Sequence, residues 1–142
     1  MRYYSISVYF ARALLKNAVA QGLDPISLLR KNRVSPRLLL EDEARISVER
    51  FADLQVSTML AMNDEALGYA SRRMPIGCWT MMCQAVIGSE NLGQALHRYC
   101  RFYQLFEFGT QPHLLIEDEI ARIRLLHVDT EDEIDPYLNE LV

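Results

Sequence analysis

Disulfide pairing, bilayer spans and the common catalytic signatures are all missing from this chain of 142 residues. Its three cysteines, Cys78, Cys83 and Cys100, fit no CxxC or metal-ligand spacing, and an odd number does not suit a disulfide framework. A reducing compartment follows, and MRYYSISVYF shows no secretory signal, so the address read from the sequence is cytoplasmic. No GxSxG, Gly-rich phosphate loop or HExxH occurs, which removes the best-marked routes to hydrolysis, phosphate handling and zinc catalysis. The sequence reads as no enzyme, with no cofactor and no metal site.

Positive charge is scarce in the second half. Residues 1–40 carry a charge of +6, residues 41–116 carry −3 and residues 117–142 carry −7, for a net −4. Neutralising phosphates needs clustered positive charge, so the chain as a whole is not built to bind nucleic acid. The basic start remains a possible contact face. Half the residues are hydrophobic and about a quarter are charged, the balance of one globular domain with a substantial core.

Charge is also absent between Arg73 and Glu90, the longest such gap in the chain. That stretch, MPIGCWTMMCQAVIGS, falls short of the 18 to 20 apolar residues needed to cross a bilayer, and Pro75, Gly77, Thr80 and Gln84 interrupt it. It predicts a buried central helix from near Gly77 to near Gly88, with the other elements packed around it.

The rest of the chain predicts helices with local start and stop signals. Phe10, Leu14 and Ala18 share one face of a helix from Ser7 to Gln21, closed by Gly22. Asp24-Pro25 and Ser35-Pro36 each pair a capping side chain with a first-turn proline, opening two short helices. Ser47 caps a helix that ends at Asn63, and Asp64 starts another that ends near Arg72-Arg73. The double arginine is either a solvated edge or an anion or partner contact.

Ser89-Glu90-Asn91 opens a long helix whose stripe is Leu92, Leu96, Tyr99, Tyr103 and Phe106, with Gln94, His97, Arg98, Arg101 and Gln104 opposite. Alternation then predicts a hairpin, His113–Glu117 and Glu119–Val128, turning near Glu117-Asp118. Asp135-Pro136 opens a last short helix. The fold class is therefore α+β and mostly helical, with five or more helices on a small antiparallel hairpin or sheet.

Trp79, Met82 and Cys83, with Tyr99, Tyr103 and Phe106, either are core or line a pocket for a mainly apolar ligand carrying a few polar atoms. Cys78 and Cys83 sit about 140° apart around their helix and read as buried, inert thiols. His97 reads as an exposed histidine rather than a catalytic one, and His113 and His127 pair with nothing in the sequence.

Gly22-Leu23-Asp24-Pro25 with Leu28-Leu29-Arg30, Pro36 with Leu39, Arg45-Ile46-Ser47 with Arg50-Phe51, Asp64 with Leu67-Gly68, and Asn91-Leu92-Gly93-Gln94-Ala95-Leu96 before Tyr99 follow in a distinctive order. Together they resemble the N-terminal regulatory domain of one branch of the AraC-type transcriptional regulators, over nearly the whole chain. The resemblance implies a sensor or dimerisation domain for a small-molecule effector, 1–142, controlling a C-terminal DNA-binding module that this chain lacks. No set of polar side chains maps onto a sugar site, so the branch name does not supply the ligand. Two other classes stay open: a ligand-free interaction module that oligomerises through its first helix, and a haem-type gas sensor using His97. The second lacks a Tyr-x-Ser-x-Arg run after the hairpin.

Overall fold

A computed structural model describes residues 4–127. The predicted helix at Asp135-Pro136 lies outside the described residues. Strand β1 (Ser5–Ser7) leads into helix α1 (Val8–Ala20), followed by α2 (Pro25–Lys31) and a 3-10 turn (Pro36–Leu40). Strand β2 (Arg45–Ser47) leads into α3 (Val48–Met62). After a turn-rich segment come α4 (Cys78–Ile87), α5 (Leu92–Gln104), β3 (Thr110–Glu117) and β4 (Ile120–His127). Among the described residues, five helices with two antiparallel two-stranded sheets make an α+β fold dominated by helix.

Most of the start signals act as read. Asp24 accepts from the amides of Ile26 and Ser27, Ser47 from Arg50, and Asn91 from Gln94, satisfying donors that a helix leaves free at its first turn. Asn63 ends α3 in the left-handed conformation, at φ 52°.

Two short β-to-α arms, unmarked in the periodicity, form the frame of the first half. Ile-Ser-Val occurs at 6–8 and again at 46–48, and in each case the serine closes a strand and caps a helix. β1 and β2 pair antiparallel with Ile6 opposite Ile46, so α1 and α3 leave the same small sheet from opposite ends.

The main core forms where these arms meet. Val8, Leu14, Leu15 and Ala18 of α1 pack with Leu29, Val34, Ile46, Leu54, Met62 and Leu67. A smaller cluster, Cys78, Met82, Tyr103 and Phe108, lies between α4, α5 and the approach to β3.

α4 starts and stops where the sequence says but is not the buried centre. Only Cys78 and Met82 are buried along it, while Trp79, Met81 and Ile87 are 52%, 59% and 85% exposed. Lack of charge permits burial on every side, but α5 covers only one side of this helix among the described elements.

The segment after Asp64 is also not a helix. Its carboxylate, 4% exposed, accepts from the amides of Ala66, Gly68 and Met74 at 3.0, 2.9 and 2.9 Å, folding residues 64–74 into turns. Leu67 and Gly68 both have positive φ, which no helix admits. The turn is pinned to α1, since Asn17 donates to the Leu67 carbonyl and Tyr69 to that of Ala13. A Cβ at Gly68 would lie 2.9 Å from Cβ of Asn17, so the docking requires glycine. Arg72 forms an exposed ion pair with Glu107, the solvated-edge reading of the double arginine.

The hairpin turns one residue later than predicted, at Asp118-Glu119, with φ of 48° and 67°. Two consecutive positive φ values in a two-residue loop make a type I′ turn, which favours Asn-Gly. Replacing both residues, Asp118→Asn with Glu119→Gly, is expected to raise stability by about 0.5–1 kcal/mol. Thermal unfolding followed by circular dichroism measures the gain.

Candidate functional site

α4 begins on glycine, whose missing side chain cannot cap it, so a carboxylate from the preceding turn does. Glu65 accepts from the amides of Gly77 at 2.6 Å and Trp79 at 2.8 Å, while the Glu65 amide bonds the Met74 carbonyl. Asp64 and Glu65 thus tie the first-half turn to the start of α4. α5 starts on a reciprocal pair, with Asn91 accepting from the Gln94 amide and the Gln94 side chain accepting from that of Glu90.

Between the two helices the seam is filled by their own side chains. Met82 and Tyr103 are each 3% exposed, and Cys83, Val86, Tyr99 and Phe102 pack against them. The rings meet edge-on, Tyr99 to Tyr103 at 5.1 Å and Phe102 to Tyr103 at 5.5 Å, the arrangement ring quadrupoles favour.

Of the six residues singled out from the sequence, the structure therefore gathers four: Met82, Cys83, Tyr99 and Tyr103. Trp79 stands on the outer face of α4. Phe106 is 39% exposed and meets the cluster at its edge, stacking on its buried member Phe108 and tilting against Phe102.

Burial shapes the ionisation of this seam. It pushes the Tyr103 phenol far above its ordinary value, with Tyr99, Cys78 and Glu65 adding to the effect. It also raises Tyr99, Cys78 and Cys100. Raised thiols are poor nucleophiles, which fits the reading of Cys78 as inert.

In the folded state these groups hold their protons above the pH at which the unfolded chain loses them. Their contribution to stability is thus fully present below the unfolded thiol pKa of about 8.5 and is lost as pH rises beyond it. Tyr103→Phe is expected to flatten the alkaline part of that decline, measured as urea midpoints across the pH range.

The cleft in this region lies on the flank of the pair rather than in the seam. It has a volume of about 330 Å³ and is lined by Ala85, His97, Arg98, Arg101, Phe102 and Leu105. None of the six anticipated residues lines it. The α5 side read as polar carries three of its walls, His97, Arg98 and Arg101, and Phe102 connects it to the seam. Arg98 reaches across to α4, donating to the Ala85 carbonyl at 3.3 Å and to the Ser89 hydroxyl at 3.4 Å. A cation there complements the negative end of α4.

Arg101 forms no ion pair with any described residue. A signal for this cleft was present in the sequence: three basic side chains within five residues of one helix, with no acid three or four positions away.

Among the described residues there is no group of three or more His, Cys, Asp or Glu side chains placed to hold a metal, and no helix is long and apolar enough to cross a membrane.

The comparisons with known proteins point the same way as the ordered motifs. The ornithine utilization regulator of Pseudomonas aeruginosa is 27% identical over 120 residues, which cover 84% of this chain and 35% of that protein. The chain thus spans about a third of the length of that curated relative. No solved structure matches. A family model described as the arabinose-binding domain of AraC transcription regulator, N-terminal, matches residues 22–142. The chain belongs to that family of AraC-type regulatory domains.

Proposed function

We propose that this chain is the signal-sensing unit of an AraC-type transcription regulator working in the cytoplasm, with α4 and α5 as the element that responds to a small effector. The carrying observation is that α4 and α5 share a cluster of their own, Cys78, Met82, Tyr103 and Phe108, separate from the main core. A helix pair outside the main core repacks at less cost than one within it.

An effector that prefers one packing of the pair shifts the population toward it, and that shift biases a DNA-binding module carried by the same regulator. Met82, Cys83, Tyr99 and Tyr103 form the responding seam, with Trp79 and Phe106 at its edges. DNA is reached only through that module.

Melting the chain against metabolite pools tests the proposal, since anything that binds the folded state raises the melting temperature. An upward shift with at least one pool, lost when Tyr103 is replaced by alanine in a variant that still unfolds cooperatively, supports sensing. No shift with any pool sinks it.

A second reading has its own observation. Trp79 and Ile87, about 80° apart around α4, are exposed on one side of it, apolar surface that a second copy of the chain could cover. Light scattering separates the two, because a strict monomer leaves that face without a self-association role.

A further inference from the structure

We propose that Glu65 is the joint through which a change in packing between α4 and α5 reaches the main core: its carboxylate holds α4 only while that helix keeps its present place, and the turn loosens when α4 moves. This rests on the sensing role proposed above and names how the responding seam is coupled to the first half of the chain.

The two hydrophobic clusters share no buried residue, and the turns after α3 run between them. Leu67 and Tyr69 pack on the main core, whereas Ala70 and Met74 pack on the smaller cluster. The same segment is tied on three sides. Toward α1, Asn17 donates to the Leu67 carbonyl at 3.1 Å and Tyr69 donates to that of Ala13 at 2.7 Å. Toward the approach to β3, the Ser71 amide donates to the Phe108 carbonyl at 3.0 Å and its hydroxyl to that of Glu107 at 3.1 Å. Toward α4, Glu65 accepts from Gly77 and Trp79. With Asp64 bonded to three amides inside it, the segment is a braced body, and a pull on Glu65 is passed on rather than absorbed.

The cap on α4 differs in kind from the others. Each of the other four α-helices is capped by the side chain immediately before it, Ser7, Asp24, Ser47 or Asn91. Such a cap travels with its helix. α4 starts on Gly77, which has no side chain to offer, and takes its acceptors from 12 and 14 residues back in the chain. A remote cap fits one position of the helix only. Sliding α4 by a single residue, about 1.5 Å, carries both amides out of bonding range, because hydrogen bonds weaken steeply with distance and angle. The two bonds therefore hold or fail with the place of α4, as a two-state contact does.

The joint also lies beside the seam. Cys78, a buried member of the smaller cluster, sits between the two amides that Glu65 holds. Burial raises the Tyr103 phenol and the Cys78 thiol, and the Glu65 charge adds to both. An effector that repacks α4 against α5 thus acts within reach of this carboxylate, and the turn beyond it leads to α1.

The test uses this chain without effector, with hydrogen exchange followed residue by residue under native conditions. Met82→Ala perturbs the seam by removing a buried side chain, and the Gly68 amide, bonded to Asp64 Oδ2, reports on the turn. Met82→Ala is expected to speed exchange at Gly68 by about fivefold or more, and to leave it nearly unchanged once Glu65→Ala has cut the joint. Glu65→Gln, which keeps one carbonyl oxygen, is expected to give an intermediate response, and it carries the test if the alanine variant does not fold cooperatively.

No acceleration at Gly68 in Met82→Ala, or the same acceleration with and without the Glu65 carboxylate, would overturn the proposal. If that happens while a metabolite pool raises the melting temperature, sensing stands and Glu65 is only a helix cap. Coupling at Gly68 with no melting shift from any pool supports the joint and overturns the sensing role instead.

Discussion

Replacing Asp64 by alanine is expected to cost about 3 kcal/mol or more, the largest loss of any single polar substitution in the described chain. The carboxylate is buried and accepts three backbone amides, two on Oδ1 and one on Oδ2. Alanine leaves all three donors facing a space that water reaches poorly, and each unsatisfied buried donor is worth about 1–3 kcal/mol. The losses will not add fully, because the turn relaxes once its first bond is gone. Asp64→Asn separates charge from geometry. Its single carbonyl oxygen can keep the Ala66 and Met74 bonds while its NH2 faces the Gly68 amide, so an intermediate loss is expected. Urea unfolding of the three proteins measures the order. A loss below about 1 kcal/mol for alanine would mean that the turn is held by its contacts with α1 instead.

Leu54→Ala is expected to cost about 3–4 kcal/mol, whereas Ile87→Ala should change stability by no more than about 0.5 kcal/mol. Leu54 is fully buried on α3 within the main core, so truncation removes transfer energy and leaves a cavity. Ile87, at the end of a helix with no charged residue, is 85% exposed and has little to lose. The pair asks where the core is. Equal losses at the two sites would restore α4 to the centre, and calorimetric or urea unfolding decides between the two outcomes.

The misplaced centre has a plain physical origin. An uncharged helix can be buried on any face, but which face is covered depends on neighbours, and no neighbour is written into MPIGCWTMMCQAVIGS. Within α5 the amphipathic stripe pointed correctly at Tyr99 and Tyr103, which pack toward α4, but not at its ends, where Leu92 is 72% exposed and Phe106 lies past the helix. Even there the pattern was blind to Arg98, whose long side chain leaves the polar side and crosses to the Ala85 carbonyl. Gln104 does likewise, donating to the Pro112 carbonyl at 2.8 Å.

Asp64 shows the same limit in another form. An Asp before an apolar run reads equally well as a helix cap or as the hub of a turn, and only the positive φ of Leu67 and Gly68, with the distant Met74 amide, selects the turn. The hairpin turn was legible to within one residue because a period of two is strict, although β3 starts at Thr110, ahead of the predicted His113. The β1–β2 sheet was not, since three-residue strands are too short to show any period, although the doubled Ile-Ser-Val marks them in retrospect.

By itself, then, the sequence determined where most of the helices start and stop, the segment after Asp64 excepted, that a hairpin follows them, and which family the ordered motifs belong to. Those features depend on groups within about four residues of one another, and chain order preserves them. Tertiary structure alone decided that the core sits among α1, α2 and α3, that Glu65 caps α4, and that Ala85 meets the flank of α5 beside the aromatic seam. Each of these joins residues far apart in the chain, and what they touch is settled only when the helices pack.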